Sequence, residues 1–295
     1  MRTILIVRSP SQRAPPVYRY QANSSPGSLL AQFTDNLIMK HRLPSPVTTA
    51  LLLAAGTGSR LAPLTHESPK CLTELNGQSF LARLVDSLVL NGIRRLVVVV
   101  GHLDAHIRNH LANLESELEI EFVDNPRYRT TNNIYSLWLA RFEIREPFLL
   151  VESDLIFEPD QLEPLLQPDR MAVSRRLPWM NGSTVTVNPF AQVTAFHAGA
   201  ESPDHTSTFK TVNIYSFSLK TWDRVLERLR RHIGDDRLNG YYETVLAELV
   251  DECWISMEAV FFDEECWYEV DTVDDLRAAE QMFPAPRLVN ESAYA

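Results

Sequence analysis

An apolar run from Thr48 to Ala55, polar only at its opening threonines, stops abruptly at Gly56. A strand with one wet face alternates polar and apolar residues; a continuous apolar run must be covered on both faces, as an inner strand of a parallel sheet is. Parallel neighbours need crossover connections, usually helices, and the chain supplies them. Phe80, Leu81, Leu84, Val85, Leu88 and Val89 recur at helical spacing and stop at Asn91-Gly92. Leu96 to Val100 reads as a second buried strand, and Ile107, Leu111 and Leu114 mark a helix. Glu119 to Val123 alternates as a strand, Ile134 to Arg141 is helical, and Phe148 to Val151 is a strand again. This alternation predicts an α/β fold: a mostly parallel central sheet with helices on both faces. After Asp169 the strands shorten: Met171 to Ser174, Thr184 to Val187, Gln192 to His197 and Val212 to Phe217. They predict a small antiparallel appendage. Trp222 to Ile233, Glu243 to Asp251 and Val273 to Phe283 read as helices, with a strand at Ile255 to Phe261.

Composition narrows the partners. The 295 residues are 45% hydrophobic and 22% charged, which excludes collagen-like, disordered and disulfide-stapled chains. A formal net charge of -10 argues against nucleic acid, whose phosphates need a basic face. A small anionic substrate stays open, because a few local cations suffice to hold one. Cys71, Cys253 and Cys266 have no metal-ligand spacing, and an odd count argues against a disulfide framework. No apolar run approaches the roughly 20 residues of a membrane span. A cytoplasmic protein is the expectation, with the oligomeric state open and a homodimer among the options.

Residues 1–46 differ from the rest. They are rich in Pro and Ser, and Arg2, Arg8, Arg13, Arg19, Lys40 and Arg42 face only Asp35. We expect a flexible basic extension there, holding at most one short helix at Leu29 to His41. A catalytic domain is expected over 47–283 and a tail over 284–295.

The chemistry concentrates after the first strand, in Leu51-Leu-Leu-Ala-Ala-Gly-Thr-Gly-Ser-Arg-Leu-Ala-Pro-Leu-Thr-His-Glu-Ser-Pro-Lys-Cys-Leu72. A loop at the carboxyl end of a sheet strand is where open α/β folds bind ligands. Gly56 and Gly58 allow a sharp turn and close backbone approach, exposed amides could cradle phosphate oxygens, and Arg60 and Lys70 add two cations for a polyphosphate. A Walker loop would close with Gly-Lys-Ser/Thr, and a dinucleotide fingerprint would need glycine at Leu61; neither is present. A structural turn with surface cations is the competing explanation, and it leaves the joint occurrence of these features unexplained.

At these residues the sequence resembles the nucleotidyltransferase superfamily that makes sugar nucleotides and related activated head groups. The resemblance continues through Asn132-Asn-Ile-Tyr-Ser-Leu-Trp-Leu139, Glu152-Ser-Asp154, Phe209-Lys-Thr-Val-Asn-Ile-Tyr215 and Trp267-Tyr-Glu-Val-Asp271. The later blocks are most similar to bacterial phosphocholine and phosphonate cytidylyltransferases. The match runs from about Thr48 to Phe283 and leaves the basic extension outside it.

The resemblance implies a Rossmann-like, GT-A-type nucleotidyltransferase fold. It implies transfer of CMP from CTP to 2-aminoethylphosphonate, a hydroxyalkylphosphonate or phosphocholine, with release of pyrophosphate. A sugar-1-phosphate enzyme using UTP, dTTP or GTP is the alternative, and a fold-keeping protein without catalysis a third option. Arg60, Lys70 and Lys210 would be catalytic, and Asp154 and Asp271 would hold Mg2+, an ion that favours carboxylate and phosphate oxygens. The nucleotide would lie against Leu53, Ala54, Ala55, Gly56, Thr57, Gly58, Ser59, Arg60 and Lys70, with Asn132, Asn133, Ser136 and Glu152. The second substrate would meet Trp179, Asn181, Gly182, Lys210, Glu243 and Glu269.

Several of these residues have a bland explanation too. Asp154 and Asp271 could begin helices or turns, Lys210 could be solvated, and Asn132 could be a helix cap. An aromatic cage for a quaternary ammonium could draw on Trp179, Tyr241, Tyr242, Trp267 and Tyr268, although aromatics at such spacings are more often core. A primary amine would instead want a carboxylate such as Asp263 or Glu243. His102, His106 and His110 recur at four-residue intervals and read as a solvated helix face rather than a metal site. Asp263-Glu264-Glu265 reads as a solvated turn, and Cys71 is assigned no catalytic role.

Overall fold

The computed structural model describes residues 46–178, 180–197 and 207–284, all within the unit Pro44–Ala295. The predicted extension apart from Pro46, its helix at Leu29 to His41, Trp179 and the tail beyond Pro284 lie outside these residues. In chain order the elements begin with β1 (Thr49–Ala54), the short hairpin β2 (Glu74–Leu75) and β3 (Gln78–Ser79), α1 (Phe80–Leu90), β4 (Arg95–Val100), α2 (Asp104–Asn113) and β5 (Glu119–Asp124). They continue with α3 (Asn133–Leu139), β6 (Phe148–Glu152), β7 (Leu155–Phe157), β8 (Arg170–Arg175), β9 (Thr184–Val187), β10 (Val193–His197) and β11 (Thr208–Phe217). The last are α4 (Leu219–Gly234), α5 (Tyr242–Asp251), β12 (Glu258–Phe262), β13 (Trp267–Glu269) and α6 (Val273–Met282).

β1 is buried along its whole length. It pairs in parallel with β4 on one side and β6 on the other, and β4 pairs in parallel with β5. The chain therefore winds outward from β1 to β5 and then returns to β1's other edge at β6. That reversal leaves a crevice at the carboxyl ends of β1 and β6, the place where such sheets take ligands. β11 runs antiparallel to β6 and extends one sheet to nine strands. Its amino-terminal part pairs with β9, and its other edge with β8, which pairs in parallel with β12.

Period-two alternation sends Leu51 and Leu53 to one face of β1, and Ala50, Leu52 and Ala54 to the other. The first face packs on α3, α4 and α5 through Ile134, Leu137, Trp222, Val225 and Val245. The second packs on α1 and α2 through Leu81, Leu84, Leu88, Ile107 and Leu111. Each such side chain contributes about 1.5–3 kcal/mol on burial. A third cluster joins Leu61, Leu75, Phe80, Ile156, Tyr268, Val270 and Leu276, tying α6 to the loop after β1. Ser79 caps α1, Ser218 caps α4, and Thr272 with Asp275 forms a capping box on α6. Among the described residues, no helix is long and apolar enough to cross a membrane.

The predicted fold class is the observed one, with boundary differences. The final antiparallel strand begins at Thr208 rather than Val212, because Thr208 to Lys210 pair with β9. The last sheet strand is Glu258–Phe262 rather than Ile255 to Phe261, set by its register on β8. The antiparallel pair β7–β13 and the hairpin β2–β3 were not anticipated; strands of two or three residues carry too little pattern to read.

Candidate active site

Gly58, in the loop after β1, has φ +62°, a left-handed conformation natural to glycine. A Cβ there would stand 2.9 Å from Lys70 Cβ and 3.2 Å from Thr65 Cγ2. At Gly56 an added Cβ would meet nothing within 4 Å, so the steric demand falls on Gly58. Thr65 Oγ1 donates to the Gly58 carbonyl at 2.9 Å, and Leu61 is fully buried in the third cluster. The motif is thus a folded unit whose apolar members anchor it and whose cations stay toward the crevice.

Asp154 follows β6, and Asp271 follows β13. β7 and β13 pair antiparallel, with Glu269 opposite Leu155, and the Val270 amide donates to the Asp154 carbonyl at 2.9 Å. This ladder brings the two carboxylates together. Lys70 Nζ donates to Asp154 Oδ2 at 2.8 Å and to Asp271 Oδ1 at 2.7 Å, while Arg60 Nη1 reaches Asp271 Oδ2 at 2.7 Å. Burial acts to lower the Lys70 pKa, but the charges of Asp154 and Asp271 outweigh it and leave it raised. Neither acid caps a helix: Thr272 caps α6, and Asp154 lies between two strands.

Two adjoining hollows open on this cluster and share Arg60, Asn133, Glu152, Asp154 and Tyr241. The smaller, about 440 Å³, is lined by every residue from Leu53 to Arg60, by Lys70 and Cys71, and by Asn132, Asn133 and Ser136. Asn125, Tyr128, Arg129, Thr131 and Ser153 complete it with the shared residues. The sequence reading missed Asn125, Tyr128 and Arg129 as lining residues; their signal was position, directly after the alternating strand β5. Asn125 is buried and donates to Ser136 Oγ at 3.1 Å and Thr131 Oγ1 at 3.3 Å. Asn132 is the N-cap of α3 and accepts from the Asn133 amide. The Asn133 side chain is held on three sides: its Nδ2 donates to Glu152 Oε1 at 3.2 Å and Glu243 Oε2 at 3.4 Å, and its Oδ1 accepts from the Tyr242 amide at 3.0 Å.

The larger hollow, about 740 Å³, takes in Asn181, Gly182, Lys210, Glu243 and Glu269, with Trp267, Tyr268 and Tyr241 also on its wall. Lys210, read from sequence as preceding its strand, lies inside β11 and is only 2% exposed. Its Nζ donates to the Thr211 carbonyl at 2.7 Å and pairs with Glu269 Oε2 at 3.1 Å. A Cβ at Gly182, whose φ is +94°, would come within 3.4 Å of Lys210 Nζ. Glu269 pairs with this ammonium, Glu243 feels its charge, and Glu152 lies beside Glu243 across Asn133. Burial raises the Glu243 pKa from 4.5 to about 7, and burial with neighbouring carboxylates raises Glu152 well above its ordinary value. Glu269 is raised as well, by burial first, against the opposing pull of Lys210. Of the candidate cage aromatics, Tyr242 is fully buried with its ring edge-on to Tyr215, a core role.

The remaining candidates take no part in the charged cluster. His102 precedes α2 and lies near the Tyr128 ring, and His110 Nε2 contacts Ser79 Oγ at 2.9 Å, so the three histidines do not form one solvated face. No group of three or more His, Cys, Asp or Glu suited to a metal occurs among the described residues. Cys71 is buried, with its thiol pushed up to about 12, which keeps it unreactive. Two convergent carboxylates do suit a divalent ion completed by phosphate oxygens and water. Asp154 Oδ1 is buried with no hydrogen-bond partner, and a cation, Lys70 Nζ, already sits between the two acids.

Residues 50–181 match the family model described as a MobA-like NTP transferase domain. The chain is 32% identical over 250 residues to CMP-5'-(3-aminopropyl)phosphonate synthase of Streptomyces rubellomurinus, covering 81% of this chain and 39% of that protein. It is 26% identical to CTP:phosphoglutamine cytidylyltransferase of Campylobacter jejuni, over 77% of this chain and 97% of the relative. Its fold is shared with CTP:phosphocholine cytidylyltransferase from Streptococcus pneumoniae, with a TM-score of 0.67 at 20% identity, over 80% of this chain and 99% of the other.

Proposed function

We propose that this chain, whose residues 50–181 match a MobA-like NTP transferase domain, is a nucleotidyltransferase that transfers CMP from CTP to a small phosphonate or phosphomonoester. The observation that carries this reading is the meeting of Arg60, Lys70, Asp154 and Asp271 at the junction of the two hollows. The smaller hollow suits the nucleotide, with the amides of the loop after β1 facing the triphosphate. Arg60 and Lys70 offset its charge, and Lys70, held on a short turn, places an ammonium at the phosphate chain.

The larger hollow suits the acceptor. Lys210 presents a buried ammonium to a phosphonate or phosphate, and Gly182 leaves room beside it. An anionic acceptor oxygen attacks the α-phosphorus in line, forming the new P–O bond as the bond to the β-phosphate oxygen breaks and pyrophosphate departs. The attacking oxygen carries no proton, so no general base is required. Asp154 and Asp271 would hold Mg2+, which supplies charge screening between the reacting anions. Glu152, Glu243 and Glu269 on the wall of this hollow favour an acceptor with a cationic tail, such as an aminoalkylphosphonate or phosphocholine. CTP is favoured by the cytidylyl chemistry named for the relatives above.

Pyrophosphate release over four nucleotides and several acceptors tests the reading. Turnover with CTP and an aminoalkylphosphonate or phosphocholine is expected. Turnover only with a sugar phosphate, or with UTP, dTTP or GTP alone, would replace it.

A further inference from the structure

The proposed reaction needs a divalent ion at the point where the chain holds a lysine. Lys70 Nζ bonds both Asp154 Oδ2 and Asp271 Oδ1, and its side chain is only 12% exposed. Arg60 takes the second oxygen of Asp271. Both oxygens of Asp271 and one of Asp154 are therefore engaged by the chain's own cations. Two acids this close repel unless a positive charge stands between them. An incoming ion must displace the ammonium, breaking two charge-assisted hydrogen bonds with little solvent at hand to compensate.

The stem of Lys70 packs closely against Gly58, so movement is confined to the ammonium end. That end lines the same hollow as the loop from Gly56 to Arg60. A triphosphate on that loop would offer the ammonium new anionic partners within its sweep; a divalent ion alone offers none. We infer that Lys70 is a tethered counter-ion that keeps Asp154 and Asp271 closed to divalent ions until a triphosphate draws its ammonium away, so that ion and nucleotide bind cooperatively. This rests on the proposed placement of triphosphate and ion, but on neither the identity of the base nor that of the acceptor. Linkage makes the coupling reciprocal: whatever relieves the lock for one ligand favours the other.

The test is Mn2+ binding to the full chain without nucleotide, read from the electron paramagnetic resonance of free Mn2+. Lys70→Met should bind one Mn2+ about 10-fold or more tighter than wild type, as a coupling of ordinary size requires. Lys70→Arg, which keeps a cation, should resemble wild type. Adding Asp154→Asn to Lys70→Met should abolish the gain, and Mn2+ alone should raise the Tm of Lys70→Met but not of wild type. Equal Mn2+ affinity in wild type and Lys70→Met, or no binding by either, overturns the inference. A gain that survives Asp154→Asn overturns it as well. Should Lys70→Met fail to fold, Lys70→Gln takes its place, and tight nucleotide-free binding by wild type is by itself a refutation. A wrong base or acceptor leaves these results unchanged, so the two failures are distinguishable.

Discussion

Lys70 Nζ lies 2.7 Å from Asp271 Oδ1, although 201 positions separate the two residues in the chain. The contact depends on the β7–β13 ladder, which carries Asp271 across to Asp154, and on the Gly58 turn, which admits the Lys70 stem.

The paired acids are expected to be indispensable to turnover. Asp154→Asn and Asp271→Asn should each lower kcat for pyrophosphate release by about 100-fold or more, with an unchanged circular dichroism spectrum, and chelation of divalent ions should do the same to wild type. Either variant turning over at near-wild-type rate under limiting Mg2+ would remove that residue from the ion site.

Gly58→Ala tests the turn. The substitution forces a side chain into φ +62° and against Lys70 Cβ. We expect a loss of about 1–3 kcal/mol in unfolding free energy and weaker nucleotide binding in equilibrium titration. Gly56→Ala, which meets open space, should be milder in stability. Equal effects at the two positions would contradict the packing described here.

Lys210 and Glu269 are expected to separate stability from binding. Lys210→Met strands Glu269 among other carboxylates and should cost about 3 kcal/mol in urea unfolding. Combining it with Glu269→Gln should recover much of that stability, while the KM for the acceptor stays raised by about 10-fold or more. Recovery of acceptor KM in the double variant would mean that Lys210 serves only to pair Glu269.

Glu243 imposes a pH dependence. Its carboxyl ionises near 4.5 when unfolded and near 7 in the native chain, because burial disfavours the charge. Between those values the native state binds more protons, so this group makes stability fall as pH rises, and above about 7 its loss is complete. In urea unfolding at about pH 5 and about pH 8, Glu243→Gln should diminish the fall by roughly 1–3 kcal/mol. An unaltered pH slope would show that Glu243 is not the titrating group.

The parallel sheet was legible because its strands are continuous apolar runs, and its helices because Leu, Val and Ile recur at helical spacing. The loop from Gly56 to Lys70 was legible because glycines, cations and prolines crowd one connection. Asn125, Tyr128 and Arg129 were not, since their position after β5 marks a strand end but not which hollow they border. Lys210 read as ambiguous because lysine is ordinarily solvated; only the pairing of Thr208 to Lys210 with β9, and Glu269 on another strand, make its burial tolerable. Asn133 was read as a nucleotide-lining residue; it borders the smaller hollow, and only the fold shows that its side chain is also held by Glu152, Glu243 and the Tyr242 amide.

From the sequence alone came the class of fold, the loop after β1, and the set of charged residues able to serve phosphate chemistry. Periodicity and turn chemistry are local properties, and local properties survive in a linear string. Tertiary structure decided that Asp154 and Asp271 share one ammonium, that Lys210 is buried, and that two hollows meet at the acids. Those facts depend on which distant strands pair, and the pairing of three-residue strands such as β7 and β13 is settled by the packing of the whole chain around them.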